Sequence, residues 1–192
     1  MEPKERASRD IGFIIKAGVI ALLLMAVMHI INPILNPPRE ITMDQVTEVS
    51  QSIVSLRANE TLPLLRNAEG KHTLMVVYAS WCPACRMLMP NIMEMIVDKE
   101  LDHMNRVFFS LDTDYRALAI YLLAGHYEEL FTPYIVKASA VNSLEKALSR
   151  TGSSYNNGLP YIAVFDAAGQ LVDEDAGVVS QRRLRKMTSY SR

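Results

Sequence analysis

The feature that most constrains the fold of this chain is a strand-to-helix junction that carries its two cysteines, Cys82 and Cys85. Residues 74–78 form a short apolar run of the kind found in strands that are buried on both faces. After the cysteines the pattern changes to that of a helix. Pro83 suits the first helical turn, because the N–H that proline lacks would have no partner there. The sequence therefore predicts a buried strand that leads directly into a helix at the cysteines.

The position of the cysteines at this junction also predicts their chemistry. Unpaired backbone N–H groups and the helix dipole favour an anion at a helix N-terminus, and Arg86 adds positive charge one turn on. The sequence therefore predicts that Cys82 carries the thiolate. Residues three apart on a helix lie about 5 to 6 Å from each other, within the range that a disulfide requires. Cys85 is therefore placed to close a bond onto Cys82.

The residues around this pair resemble the active-site segment of the thioredoxin superfamily. The matching residues are Trp81, Cys82, Pro83, Ala84, Cys85, Arg86 and Pro90. Leu159-Pro160 stands where the superfamily has its cis-proline, and residues 161–172 look like its closing β-hairpin. Gly177 and the helical pattern after Ser180 are similar to its final turn and helix. The resemblance covers roughly residues 73–190 and implies a thioredoxin-like α/β fold, in which a central mixed sheet is flanked by helices.

The resemblance implies thiol:disulfide exchange with protein thiols and disulfides as partners. Cys82 is then the attacking sulfur and Cys85 the resolving sulfur, and their disulfide is the only redox group that the reaction needs. A cis bond at Pro160 would hold the backbone of Leu159 open for pairing with the substrate chain. The residues expected to support binding and tuning are Trp81, Pro83, Ala84, Arg86, Leu159 and Pro160.

One departure separates the chain from thioredoxin itself. Thioredoxin buries an Asp in the strand before the motif, as a proton acceptor for the second cysteine, and the aligned residue here is Val76. The chain combines a Trp-Cys-Pro-x-Cys motif with a predicted N-terminal membrane anchor, which is described below. In both respects it looks like the TlpA-like and cytochrome c maturation thioredoxins, which are specialised thiol reductases. We therefore expect a reductase. The alternative within the same fold is a disulfide oxidase or isomerase.

A long apolar stretch, residues 11–31, is interrupted only by Lys16 and His29 and has the length needed to cross a bilayer. It lacks a small-residue cleavage site, which favours a retained anchor over a cleaved signal peptide. Lys and Arg are concentrated before it, so the positive-inside rule places residues 1–10 in the cytoplasm. We expect a single-pass protein of a bacterial inner membrane, with a membrane electron donor and a domain in the periplasm, where disulfides persist.

The chain after this stretch is predicted to contain one domain, residues 42–192, behind a proline-rich spacer at residues 32–41. Thr42 and Gln45 form a capping-box pattern, followed by apolar residues at helical spacing. This pattern predicts an amphipathic helix docked on the domain.

A segment at about residues 115–157 interrupts the resemblance to a compact thioredoxin. Residues 117–123 and 136–148 have helical patterns, and they are separated by Pro133. We therefore predict a helical insertion, of the kind that shapes a partner surface.

A copper-handling assembly module is the alternative from a different functional class, because soft thioethers beside two thiols suit copper(I). The thioethers lie on the motif helix and belong to Met87, Met89, Met93 and Met95. Methionine also fills irregular core space, and we prefer this interpretation, so no metal site is predicted.

The charge pattern argues against a nucleic-acid partner. The net charge of −1 gives no overall attraction to polyanions. The basic residues at 182–186 are expected to form the solvated face of a terminal helix.

Overall fold

The computed structural model describes residues 18–28, 31, 40–66 and 69–191, and the chain divides into two compact units, Met1–Glu40 and Ile41–Arg192. Residues 18–28 are helical (α1). Within the described residues, no helix has both the length and the apolar character that crossing a membrane requires. The predicted anchor lies partly outside the described residues. The predicted N-terminal tail and most of the predicted spacer also lie outside them.

Six strands of the second unit form one mixed sheet in the order β1-β4-β3-β2-β5-β6. The strands are β1 Val54–Leu56, β2 Thr73–Tyr78, β3 Asn105–Ser110, β4 Pro133–Val136, β5 Tyr161–Phe165 and β6 Leu171–Ala176. The first four strands of that order run parallel to one another, and β5 and β6 are antiparallel to their neighbours.

Helices cover both faces of this sheet. They are α2 Met43–Ser52, α3 Ala58–Leu65, α4 Pro83–Val97, α5 Tyr115–Gly125, α6 Val141–Ser149 and α7 Gln181–Thr188, with short 3₁₀ turns at Ala138–Ala140 and Ser189–Ser191. One core cluster joins the sheet to α2, α4, α5 and α7, and the other joins it to α3 and α6. The predicted central mixed sheet flanked by helices is confirmed.

The burial of β2 explains its uninterrupted apolar sequence. Successive side chains of a strand point to opposite faces of the sheet. Val76 therefore joins the first core cluster, whereas Met75 and Val77 join the second. All residues of β2 are buried, as the sequence predicted.

The predicted helix at the start of the domain is confirmed as α2. Its capping box is complete, since the Thr42 N–H donates to Gln45 Oε1 at 3.0 Å and the Gln45 N–H donates to Thr42 Oγ1 at 3.3 Å. Val46 is buried in the first core cluster, and the helix lies against α5. The helix is therefore docked on the domain, as expected.

The predicted helical insertion contains a strand that sequence analysis missed. The two helices expected there are present as α5 and α6, but Val136 ends β4, and the second helix begins only at Val141. β4 lies between β1 and β3, so it is a central strand of the sheet. Pro133 is tolerated because it is the first residue of the strand. With only four residues, the strand is too short to show a period in the sequence.

The C-terminal part of the domain agrees with the prediction. The Leu159-Pro160 bond is cis, as predicted. The turn between β5 and β6 is closed by the carboxylate of Asp166, which accepts hydrogen bonds from the N–H groups of Ala168 and Gln170, both at 2.9 Å. Gly169 supplies the positive φ, +81°, that this turn needs.

Candidate active site

The cysteine pair lies where the parallel strands end. Tyr78, the last residue of β2, is paired with Ser110, the last residue of β3. The antiparallel β5 begins at the same edge of the sheet, because Tyr161 is paired with Val77. The loop before Cys82, the residues after β3 and the cis-proline segment therefore share this edge.

Cys82 is the N-cap of α4, and its Sγ accepts a hydrogen bond from the N–H of Cys85 at 3.4 Å. The sulfur thus accepts a hydrogen bond from a backbone N–H at the positive end of the helix dipole. Cys82 is 6% exposed, whereas Cys85 is fully buried, and both are free thiols. Of the two sulfurs, that of Cys82 is the one within reach of a partner.

Burial raises the pKa of the Cys85 thiol to about 12. The hydrogen bond with Cys82 and the negative charge of Asp112 act in the same direction, and a backbone hydrogen bond with Ala79 opposes them. At pH 7 a thiol with this pKa is ionised in about 10⁻⁵ of the molecules. Cys85 therefore stays protonated until the reaction requires its sulfur.

The other residues predicted for this segment surround Cys82. Pro83 occupies the first turn of α4, and Trp81 is 61% exposed beside the reactive sulfur. The Nε of Arg86 donates to the carbonyl oxygen of Ser80 at 2.7 Å, which holds the guanidinium near the start of the helix. Ala84 is half-buried against the first core cluster. The structure therefore brings these residues together around Cys82.

The cis-proline segment lies on the same side of the sheet as the pair. Leu159 is half-buried and packs against the core cluster that contains both cysteines. Pro160 is buried, and its carbonyl oxygen accepts a hydrogen bond from the N–H of Gly177 at 2.8 Å. The role of the Leu159 backbone in pairing with a substrate chain stays a prediction.

Sequence analysis missed Asp112, which is only 2% exposed. Its Oδ2 accepts hydrogen bonds from the N–H of Ser80 at 2.8 Å and the hydroxyl of Ser110 at 2.6 Å. Its Oδ1 accepts from the hydroxyl of Ser80 at 2.6 Å. The signal in the sequence was an acidic residue two positions after the end of a buried parallel strand, at the sheet edge where site residues gather. In the sequence this residue indicated only where the strand ends, and not that its side chain contacts the loop before Cys82.

Two tyrosines lie in the same buried region behind the pair. Their rings are 6.4 Å apart, and neither the Tyr78 nor the Tyr121 hydroxyl has a hydrogen-bond partner among the described residues. Burial raises the pKa of both phenols, and the charges of Asp112 and Cys85 add to the effect. This side of the site is therefore unfavourable for any further negative charge.

The methionines of the motif helix have two different environments. Met89, Met93 and Met95 are buried in the first core cluster, while Met87 is 66% exposed. Core filling therefore accounts for three of the four thioethers. Among the residues that the structure describes, no three His, Cys, Asp or Glu side chains are grouped to hold a metal ion.

Comparison with known proteins identifies the class. A family model described as a thioredoxin-like domain matches residues 66–192. The chain therefore belongs to the thioredoxin-like family, and the predicted membership of the thioredoxin superfamily is confirmed. As a member of this family, it is a thioredoxin-like thiol:disulfide oxidoreductase. No curated protein matches the chain by sequence.

Several solved structures are similar to this chain. A thiol:disulfide interchange protein of the thioredoxin family from Chlorobium tepidum TLS is 18% identical, with a TM-score of 0.51 over 64% of this chain and 80% of that chain. StoA from Bacillus subtilis is 15% identical, with a TM-score of 0.49 over 62% and 84% of the two chains. A secreted Mycobacterium tuberculosis disulfide oxidoreductase is 20% identical, with a TM-score of 0.46 over 62% and 81%. At these identities the similarity concerns the fold alone.

Proposed function

We propose that this thioredoxin-like oxidoreductase reduces disulfides of specific partner proteins through Cys82 and Cys85. The observation that carries the proposal is the inequality of the two sulfurs. Cys82 caps a helix and is 6% exposed, whereas Cys85 is fully buried and holds its proton. Cys82 is thus placed to attack a partner disulfide, and Cys85 is placed to resolve the mixed disulfide that forms.

The reaction proceeds by two exchanges. The thiolate of Cys82 attacks one sulfur of the substrate disulfide, a mixed disulfide forms, and the other substrate sulfur leaves as a thiolate. Cys85 then releases its proton and its sulfur bonds to Sγ of Cys82, so that the second substrate sulfur leaves and takes up a proton. Two electrons pass to the substrate, and the protein ends with a Cys82–Cys85 disulfide. No other cofactor takes part.

The residues around the pair support the reducing direction, because Trp81, Cys82, Pro83 and Cys85 resemble the motif of specialised thiol reductases. A dithiol becomes a strong oxidant when its reduced form is stabilised, as in DsbA. Burial opposes ionisation of Cys85, so this sulfur adds no second thiolate to the reduced form. We propose an equilibrium potential nearer to the value of about −270 mV for thioredoxin than to the value of about −120 mV for DsbA.

The surface around Cys82 supports a protein as the substrate. The large apolar side chains of Trp81, Met87 and Ile120 are exposed, at 61%, 66% and 46%. Arg86 and Ile120 line a groove of about 340 Å³ between α4 and α5. Aromatic residues, methionine and arginine are enriched at protein interfaces, which fits a polypeptide better than a small thiol.

We further propose that residues 11–31 anchor the protein in a bacterial inner membrane, with the domain in the periplasm and a membrane electron donor. The apolar length of this segment and the Lys and Arg residues before it support the proposal. The large apolar side chains in the described part of the segment, residues 19–28, are exposed. Two fusions after Arg192, one to a reporter that is active only after export and one to a reporter that is active only in the cytoplasm, test the orientation, and activity of the cytoplasmic reporter alone would reject it.

A reductase assay tests the central proposal. The full-length protein, reduced beforehand, is mixed with a fluorescent peptide disulfide, and the equilibrium with glutathione is measured in parallel. We expect stoichiometric reduction by the parent and none by the Cys82→Ser variant. A potential close to that of DsbA would instead support the oxidase alternative. Failure to exchange disulfides, together with tight copper(I) binding by the reduced protein, would support the metal-handling alternative.

A further inference from the structure

The loop that carries Cys82 is held from two sides at Ser80. Its N–H and its hydroxyl both donate to the carboxylate of Asp112, and its carbonyl oxygen accepts from Nε of Arg86. All three polar groups of Ser80 are therefore engaged, and the side chain is only 5% exposed. Such a residue has no freedom to rotate without breaking several buried hydrogen bonds.

The carboxylate of Asp112 is itself fixed. The hydroxyl of Ser110 donates to Oδ2, and the N–H of Asp112 donates back to that hydroxyl at 3.0 Å. Ser110 is fully buried and is the last residue of β3. The loop is therefore tied through Asp112 to a central strand of the sheet, which is a rigid support for a reactive group.

We propose that Asp112 is a positioning residue for Cys82 and acts through Ser80. Ser80 lies two residues before Cys82, whose N–H donates to the carbonyl oxygen of Ala79 at 3.2 Å in the same turn. Fixing Ser80 therefore fixes the direction in which the chain enters α4, and with it the contact between Cys82 Sγ and the N–H of Cys85. The inference rests on the proposed function, because it takes Cys82 as the attacking sulfur.

Another acidic residue after the same strand provides a contrast. Asp114 is exposed and caps α5, where its Oδ1 accepts from the N–H groups of Arg116 and Ala117 at 2.8 and 3.2 Å. It makes none of the contacts to the loop before Cys82 that Asp112 makes. The same substitution at positions 112 and 114 therefore separates the positioning role from a general effect of removing a negative charge.

The experiment uses the full-length Cys85→Ala protein, in which Cys82 is the remaining cysteine. The rate of alkylation by iodoacetamide is measured against pH in Asp112→Asn, Ser80→Ala, Ser80→Thr and Asp114→Asn variants. The single tryptophan of the chain, Trp81, lies between Ser80 and Cys82, so its fluorescence anisotropy reports on the loop.

We expect alkylation at pH 7 to be about tenfold slower in the Asp112→Asn variant, with lower anisotropy of Trp81, since small misplacements of a reacting group cost up to about a hundredfold. Ser80→Ala keeps the backbone hydrogen bond, so a smaller loss of about threefold is expected. Ser80→Thr retains the hydroxyl, so its alkylation rate should equal that of the Cys85→Ala parent. Asp114→Asn should leave both the alkylation rate and the anisotropy of Trp81 unchanged.

Rates and anisotropies within experimental error of the parent in both the Asp112→Asn and Ser80→Ala variants would overturn the inference, even if thermal stability falls. If Asp112→Asn does not fold, the Ser80→Ala and Ser80→Thr pair decides the question alone. Alkylation needs no disulfide substrate. If the Cys85→Ala protein is alkylated normally but the protein with both cysteines reduces no disulfide, the proposed function is rejected, and the positioning role is still decided by the alkylation rates.

Discussion

The burial of Cys85 predicts that its thiol reacts slowly even when Cys82 is removed. In the Cys82→Ala variant, burial remains as the largest cause of the raised pKa, while the hydrogen bond with Cys82 is lost. The pKa of about 12 in the parent, in place of 9.0, lowers the thiolate fraction at neutral pH by about a thousandfold, and this is the upper limit for the variant, because both contributions of Cys82 are absent there. A more basic thiolate is also a better nucleophile. With a Brønsted coefficient near 0.45, each thiolate reacts about 20-fold faster, which partly offsets the smaller thiolate fraction. We therefore expect alkylation of Cys85 to be slower than that of an ordinary thiol by about 10- to 50-fold.

The assay is alkylation of the folded Cys82→Ala protein by iodoacetamide, followed by mass spectrometry. The same protein unfolded in guanidinium chloride supplies the rate of an ordinary thiol at the same position. In the folded protein the rate should rise about tenfold for each pH unit and continue to rise above pH 9, since the thiol stays protonated there. A rate that levels off near pH 9, or that lies within threefold of the unfolded control, would refute the argument from burial.

Three further predictions test the proposed function and the core. Cys85→Ala lacks the resolving thiol and should accumulate mixed disulfides on Cys82, visible as reducible adducts in a non-reducing gel; equal accumulation in Cys82→Ala would reverse the two roles. Stability to heat should fall as the pH rises from about 9 towards 12, because the unfolded chain releases the Cys85 proton that the folded protein retains; a parent and a Cys85→Ala variant with identical alkaline profiles would contradict this. Met89→Ala should lower the free energy of unfolding by about 2–5 kcal/mol in urea titrations. Met87→Ala, at an exposed position, is the control and should change it by no more than about 0.5 kcal/mol. Similar losses at both positions would refute the interpretation that Met89 fills the core.

The sequence was sufficient to predict those parts of the fold that are recorded in short, local patterns. The apolar run of β2, the proline at the start of α4 and the capping box of α2 each depend on neighbouring residues. The same holds for the reactive pair, because Cys82 and Cys85 belong to one helical turn. The cis bond before Pro160 was predictable only from the resemblance to a family.

The missed parts depend on contacts between distant segments. β4 is a strand because Pro133–Val136 fits between β1 and β3, and four residues alone carry too little information to exclude a helix. Asp112 belongs to the site because Ser80, far earlier in the chain, turns its N–H and hydroxyl towards it. The acidic residue after β3 marks the end of a strand, but nothing in the sequence around Asp112 or β4 identifies the distant segment that each one contacts.

The position of β4 in the sheet also determines when the start of the domain can fold. β1 lies at the sheet edge and pairs with β4, so Val54 meets Tyr134 only after most of the domain has been synthesised. The strands β2 and β3 can pair earlier, because they are close in sequence and contact each other directly. Non-local contacts of this kind form late, since the intervening chain must first be ordered. Truncations before residue 133 should therefore leave residues 54–56 open to proteases, although these residues belong to the first strand to leave the ribosome.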